Sequence, residues 1–188
     1  SLQGEEYLHS SYRRALDLAV AVPATLIALP VMGMLLLARK LEDPGGSVFF
    51  VHPRVNYDGS VIHVRKIRCM YEGSDSGRQN LAISTGRRPE DDPRNTPLGR
   101  FMRKYQLEEL PQLFDVIAGR MSVVGLRAAA TYDFEYQDMH WGTDNKKATF
   151  RAAYHAGRLG LTGVNQVVLS DGLKLSRDRY HGDVFYAR

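Results

Sequence analysis

One cysteine, Cys69, stands in the whole chain of 188 residues. A lone thiol excludes an internal disulfide and suits a reducing compartment. Histidine is also sparse, with six residues. None falls in a metal-ligand spacing such as H-E-x-x-H, so His52, His63 and the others read as structural or surface groups. No internal repeat or low-complexity tract is present. Charge is missing from one place: "LAVAVPATLIALPVMGMLLLA", the 21 residues between Asp17 and Arg39, contains no charged side chain.

That run is about long enough to cross the hydrocarbon core of a bilayer. A simple span fits it poorly. Pro23 and Pro30 lie inside it, and each removes a helix hydrogen bond and crowds the preceding turn, which favours a kink. Arg13 and Arg14 precede the run, and Arg39 and Lys40 follow it. Cations at both ends favour the cytoplasmic side for both. A kinked helix over about residues 9–40 that enters one leaflet and returns satisfies both features, provided its freed carbonyls are protected near the kink. A bitopic span and a buried core helix are the alternatives. A cleaved signal peptide fits less well, because Arg39-Lys40 stands where a small-residue cleavage site belongs.

The rest is a folded domain. The charged fraction of 24% and aromatic fraction of 10% argue against disorder, and the length suffices for one real core. The net charge of +4 and pI near 9.2 fit an anionic partner, whether membrane surface, nucleic acid or phosphorylated substrate. The chain starts at Ser1, so it reads as a fragment or processed form. "SVFFVH" (47–52) and "SVIHVRKIR" (60–68) predict two strands joined by the hairpin turn "NYDG". Residues 71–97 read as a long polar loop. Thr96 and Pro97 predict a helix start. A second helix is predicted over about 107–118, stopped by Gly119. "MSVVGLR" (121–127) predicts a short strand, and 128–139 another helix.

The ordered segments "YRRALD", "VRKIRCM", "DPRNTPLGRFMR", "LEELPQLFDVIAGRMSVVGLR" and "GLTGVNQV" resemble the monotopic phosphoglycosyl transferases, the bacterial sugar transferase family, over about residues 12–186. The resemblance implies a small α/β (α+β) domain, with residues 1–40 as a re-entrant membrane helix and residues 41–188 as the catalytic domain. It implies transfer of a phospho-sugar from a UDP-sugar to polyprenyl (undecaprenyl) phosphate, with release of UMP. The implied setting is the cytoplasmic face of the bacterial inner membrane, with membrane lipid as a partner and Mg²⁺ as cofactor. The family's Asp-Glu dyad falls on Glu108 and Glu109. The first is then the nucleophile and the second the metal-linked carboxylate. The re-entrant proline falls on Pro30. Substrate-binding positions fall on Lys66, Arg68, Arg127, Arg158 and Asp183.

The chemistry explains those residue types. A diphosphate repels an approaching carboxylate, so its charge must first be neutralised. Lys66, Arg103, Arg127 and Arg158 are candidates for that work, arginine having a bidentate fork for phosphate oxygens. Without the resemblance, two glutamates in a first helical turn would read as partners of the helix dipole, and Lys66 as an outward strand residue. The sequence also departs from the family pattern. Glu108 stands where Asp is usual, Arg120 replaces the "GDMS" aspartate, and "GLRA" replaces "GPRP" around Arg127. A catalytically weak scaffold that binds nucleotide sugar is therefore the alternative function. A nucleic-acid module is not expected, because acidic residues interleave the Arg-rich stretch 87–104 and no nucleic-acid fold signature appears.

Overall fold

The computed structural model describes residues 10–56, 58–74, 89–127 and 159–162. Helix α1 covers Ser11–Glu42, β1 Phe49–Val55 and β2 Val61–Ile67. After a 3₁₀ turn at Pro89–Asp91 come α2 (Pro97–Tyr105), a second 3₁₀ turn (Leu107–Glu109) and α3 (Gln112–Ile117). Three short strands complete the order: β3 (Ser122–Val124), β4 (Leu126–Arg127) and β5 (Leu159–Thr162). The mixed α/β class is the one expected. The chain divides into two compact units, Ser1–Val22 with His52–Val64 and Leu113–Arg188, and Pro23–Val51 with Arg65–Gln112.

Helix α1 runs unbroken through Pro23 and Pro30. At 1.5 Å per residue it is about 48 Å long, more than the hydrocarbon thickness. It is long and apolar enough to cross a membrane. Its burial follows the helical period: Arg13, Asp17, Ala21, Thr25, Ala28, Met32, Leu35 and Arg39 are buried. The opposite side exposes Leu16, Val20, Leu26, Ile27, Met34 and Leu37. One stripe packs on protein, and the other leaves large apolar side chains uncovered.

The cations flanking the apolar run do more than mark its ends. In the first unit, Arg14 donates to Val116 O (2.6 Å) and Ile117 O (2.5 Å), and Arg13 donates to Val124 O. Asp17 accepts from Ser122 Oγ and from Val123 N, both at 2.8 Å. In the second unit, Arg39 Nε donates to Arg68 O (3.1 Å), and Arg39 Nη2 to Met70 O (3.2 Å) and Asp43 (2.9 Å). Lys40 donates to Gly46 O (3.4 Å). The charge pattern that suggested a cytoplasmic location for both ends is thus largely used in holding α1 to folded protein. Asp17 is 6% exposed, so its loss leaves two donors without an acceptor. Asp17→Ala is expected to lower stability by about 3 kcal/mol in chemical denaturation, and a change under about 0.5 kcal/mol would contradict this bonding.

The first unit's core gathers Ala21, Val64, Val116, Met121, Leu126 and Leu159. Strand β5 lies between β3 and β4 and is parallel to both. The chain passes β5 at Gly125, whose N–H donates to Thr162 O at 2.8 Å. A Cβ on Gly160 would lie 2.1 Å from Gly125 N, so "GLTG" needs its first glycine for this approach. The second unit's core gathers Met32, Leu35, Ile67, Cys69 and Met102.

Several local readings hold. Strands β1 and β2 pair, and Gly59 takes the positive φ of the turn (81°). Thr96 caps α2, its Oγ1 accepting from Gly99 N at 2.9 Å, with Pro97 at the first position. Gly119 (φ 79°) ends the stretch after α3. The single helix expected over 107–118 is not observed. A 3₁₀ turn and a separate α3 replace it, because Gln106 adopts a left-handed conformation (φ 57°, ψ 25°) and Pro111 lacks the N–H that a continuous helix needs. The expected helix at 128–139 lies outside the described residues.

Candidate active site

Strand β2 carries its half-buried and buried residues at alternate positions, Ile62, Val64 and Lys66. Lys66 therefore continues the inward row of the strand rather than its outward face. Its Nζ donates to Glu109 Oε1 in an ion pair, with side-chain exposures of 19% and 21%. Shielding of that degree makes the pair stronger than a fully solvated one.

Glu108 is the unlike member of the dyad. Its Oε2 is buried and has no hydrogen-bond partner. Burial raises its proton affinity above the ordinary carboxyl value, and the Glu109 charge adds to this; Lys66 and Arg103 oppose it. Cys69 shares the surroundings. Its thiol is pushed up to about 12, first by burial and then by the Glu108 charge, against Arg103 and Lys66. Such a thiol stays protonated and unreactive at neutral pH. Lys66, Cys69, Arg103, Glu108 and Glu109 thus form one electrostatic cluster within the second unit.

A carboxyl that holds its proton more tightly when folded adds nothing below its unfolded value near 4.5. As the pH rises past 4.5 the unfolded chain ionises first, and stability falls until the pH exceeds the raised folded value, where the loss is complete. Glu108→Gln is therefore expected to raise the melting temperature at pH 7.5, measured without Mg²⁺, and to leave it unchanged near pH 4. An equal shift at both pH values would contradict burial as the cause.

The other candidate positions are placed differently. Arg68 is buried, pairs with Glu72 (3.4 Å) and lies 5.5 Å over the Phe50 ring. These contacts tie it to the base of the β1–β2 hairpin. Arg127 is placed by its backbone, on β4 beside Gly160 in the first unit. Arg158 and Asp183 lie outside the described residues. Pro30 is on the exposed side of α1.

The structural roles of three residues were not read from the sequence. Cys69 is apolar in behaviour and carried no signal. Gln106 takes the left-handed region without being Gly, Asn or Asp, and only the following Leu-Pro hinted at a break. Arg39 read as a lipid-flanking cation, because its partners Arg68 O and Met70 O are distant in sequence.

Among the described residues, no group of three His, Cys, Asp or Glu side chains could hold a metal ion. One or two carboxylates nevertheless suit Mg²⁺, which keeps several waters and takes further oxygens from substrate phosphates. Glu109, a carboxylate only partly shielded at 21% exposure, fits that donor set.

The chain as a whole is similar to known proteins. A family model described as bacterial sugar transferase matches residues 8–188. The exopolysaccharide production protein ExoY of Sinorhizobium fredii is 35% identical over 164 residues, covering 82% of this chain and 68% of ExoY. Undecaprenyl-phosphate glucose phosphotransferase of Komagataeibacter xylinus is 35% identical, covering 88% of this chain and 29% of that protein. UDP-glucose:undecaprenyl-phosphate glucose-1-phosphate transferase of Escherichia coli is 32% identical, covering 94% and 36%. The chain thus spans only about a third of the length of the latter two relatives.

Proposed function

Because the chain belongs to the bacterial sugar transferase family, we propose that it transfers a phospho-sugar from a UDP-sugar to a polyprenyl phosphate, in two steps through Glu108. In the first, a Glu108 carboxylate oxygen bonds to the sugar-bearing β-phosphorus. The bond from that phosphorus to the bridging oxygen breaks, and the oxygen leaves with UMP. In the second, a phosphate oxygen of the polyprenyl phosphate bonds to the same phosphorus. The Glu108–phosphorus bond breaks, which returns the carboxylate and yields the polyprenyl-diphospho-sugar.

The asymmetry of the dyad carries this reading. Glu109 is neutralised by Lys66, whereas Glu108 keeps a buried oxygen with no partner. A carboxylate oxygen shielded from water and without a hydrogen-bond partner is a better nucleophile than a solvated one. Lys66 and Arg103 supply the positive charge that a diphosphate needs beside it. Glu109 is the residue proposed to hold Mg²⁺, which when bound neutralises diphosphate charge. The names of the relatives from K. xylinus and E. coli support a polyprenyl acceptor. The exposed apolar side of α1 supports residence in a membrane. We place the helix as a re-entrant element at the cytoplasmic leaflet, turning by a bend at Pro30 inside a helix that stays continuous.

The test is UMP release from a panel of UDP-sugars, in detergent with undecaprenyl phosphate and Mg²⁺. Glu109→Gln is expected to abolish the Mg²⁺-dependent part of turnover. Wild-type rates in that variant would remove Glu109 from the metal role. Absence of UMP release from every sugar would favour a membrane-bound scaffold instead.

A further inference from the structure

Gln106 is the one non-glycine residue with positive φ among the described residues. A left-handed residue commonly ends a helix, but glycine is the usual occupant, because a Cβ is disfavoured there. Gln106 ends α2 in this way. Its N–H donates to Met102 O and, at 3.4 Å, to Arg103 O. Its side chain makes no capping hydrogen bond to the turn that follows. Its carbonyl oxygen accepts from Glu109 N at 3.2 Å. The two peptide groups that flank the Gln106 Cα therefore join the turn that carries Arg103 to the turn that carries both glutamates.

No residue other than Leu107 separates this bend from the dyad. Leu107 and Leu110 pack on the Met32–Leu35–Ile67–Cys69–Met102 cluster and fix how the 3₁₀ turn is rotated. Successive side chains in such a turn point about 120° apart. A rotation by one position would take Glu108 out of its buried place and break the pairing of Glu109 with Lys66.

We propose that Gln106 is a positioning residue, whose restricted left-handed backbone aims Glu108 and Glu109 into their separate places. The proposal rests on the reading that Glu108 is the nucleophile. Glycine permits the same φ and ψ but also many others, so it relieves the local strain and loosens the aim. Asparagine tolerates the left-handed region and keeps it restricted. Valine does not tolerate it.

The experiment compares kcat and KM for UMP release, and thermal unfolding, in wild type, Gln106→Asn, Gln106→Gly, Gln106→Val and Glu108→Gln. Gln106→Asn is expected to keep kcat within about twofold, and Gln106→Val to lose roughly 10²-fold. Gln106→Gly is the discriminating variant. Its melting temperature is expected to equal or exceed that of wild type, while kcat falls about tenfold at unchanged KM. A purely structural cap predicts the reverse, full activity in the glycine variant. Wild-type kcat in Gln106→Gly, or a loss in Gln106→Asn as large as in Gln106→Val, would overturn the proposal while an inactive Glu108→Gln left the nucleophile reading standing. An active Glu108→Gln would remove both.

Discussion

Glu108→Gln is expected to lower UMP release by roughly 10³-fold or more, with little change in membrane association or in nucleotide-sugar binding. The amide preserves the size of the side chain and removes its nucleophilic oxygen, so the effect falls on kcat. It also removes a buried charge, so the variant becomes more stable at neutral pH as it becomes inactive. Few other substitutions in the cluster share that combination. Lys66→Met, for example, removes the ion pair between Lys66 and Glu109 and lowers stability together with activity. Glu108→Asp separates chemistry from reach. It withdraws the carboxylate by one methylene, a displacement of about 1 Å, which changes the rate by on the order of 10²-fold if the backbone stays fixed. A rise in rate would mean that the longer glutamate sits beyond its best attacking distance, and a fall that the backbone has adjusted to it. Wild-type UMP release in Glu108→Gln would exclude Glu108 as nucleophile.

Gly99→Ala is expected to destabilise the protein by about 3 kcal/mol or more. In an ordinary helix the same change stabilises by up to about 1 kcal/mol, so even the sign is diagnostic. A Cβ at Gly99 would lie 1.9 Å from Cys69 O, 2.7 Å from Cys69 C and 2.9 Å from Cys69 Cα, all backbone atoms that cannot rotate away. The start of α2 is held against that same carbonyl by Thr96, whose N–H donates to Cys69 O at 2.9 Å. Relief would require α2 to withdraw from the end of the Lys66 strand, which costs packing around Met102, fully buried at 0% exposure. Gly33→Ala supplies the contrast. No atom comes within 4 Å of a Cβ there, so it is expected to be neutral or stabilising. Equal behaviour of the two variants in thermal unfolding would contradict the close approach of α2 to Cys69.

Local signals in the sequence were legible where one or two residues decide the backbone. Asp58-Gly59 marks the hairpin, Thr96-Pro97 the start of α2, and Gly119 the stop after α3, each through φ preference or capping chemistry. The two carboxylates at 108 and 109 stood out beside upstream cations, and the structure does bring Lys66 to Glu109 across 43 positions. The different surroundings of the two glutamates, Glu109 paired with Lys66 and Glu108 keeping a buried oxygen, were not legible. Those surroundings follow from the 3₁₀ turn at Leu107–Glu109, where a regular helix was expected from 107 to 118 and only Pro111 spoke against it. The partners of Arg13, Asp17 and Arg39 were hidden for another reason. Their acceptors and donors are mostly backbone groups of strands and helix ends far along the chain, and no side-chain pattern encodes those. A cation beside an apolar run looks the same whether it faces headgroups or a protein carbonyl.

If Glu108 is the nucleophile, it forms a covalent bond to phosphorus before any acceptor arrives. That bond is tested most directly by single-turnover UMP release with a UDP-sugar and Mg²⁺ in the absence of polyprenyl phosphate. About one UMP per enzyme chain is expected, with a matching phospho-sugar mass on the peptide containing Glu108, and neither signal in Glu108→Gln. UMP that appears only after polyprenyl phosphate is added, with no mass on the protein, would show direct transfer between substrates and contradict this expectation.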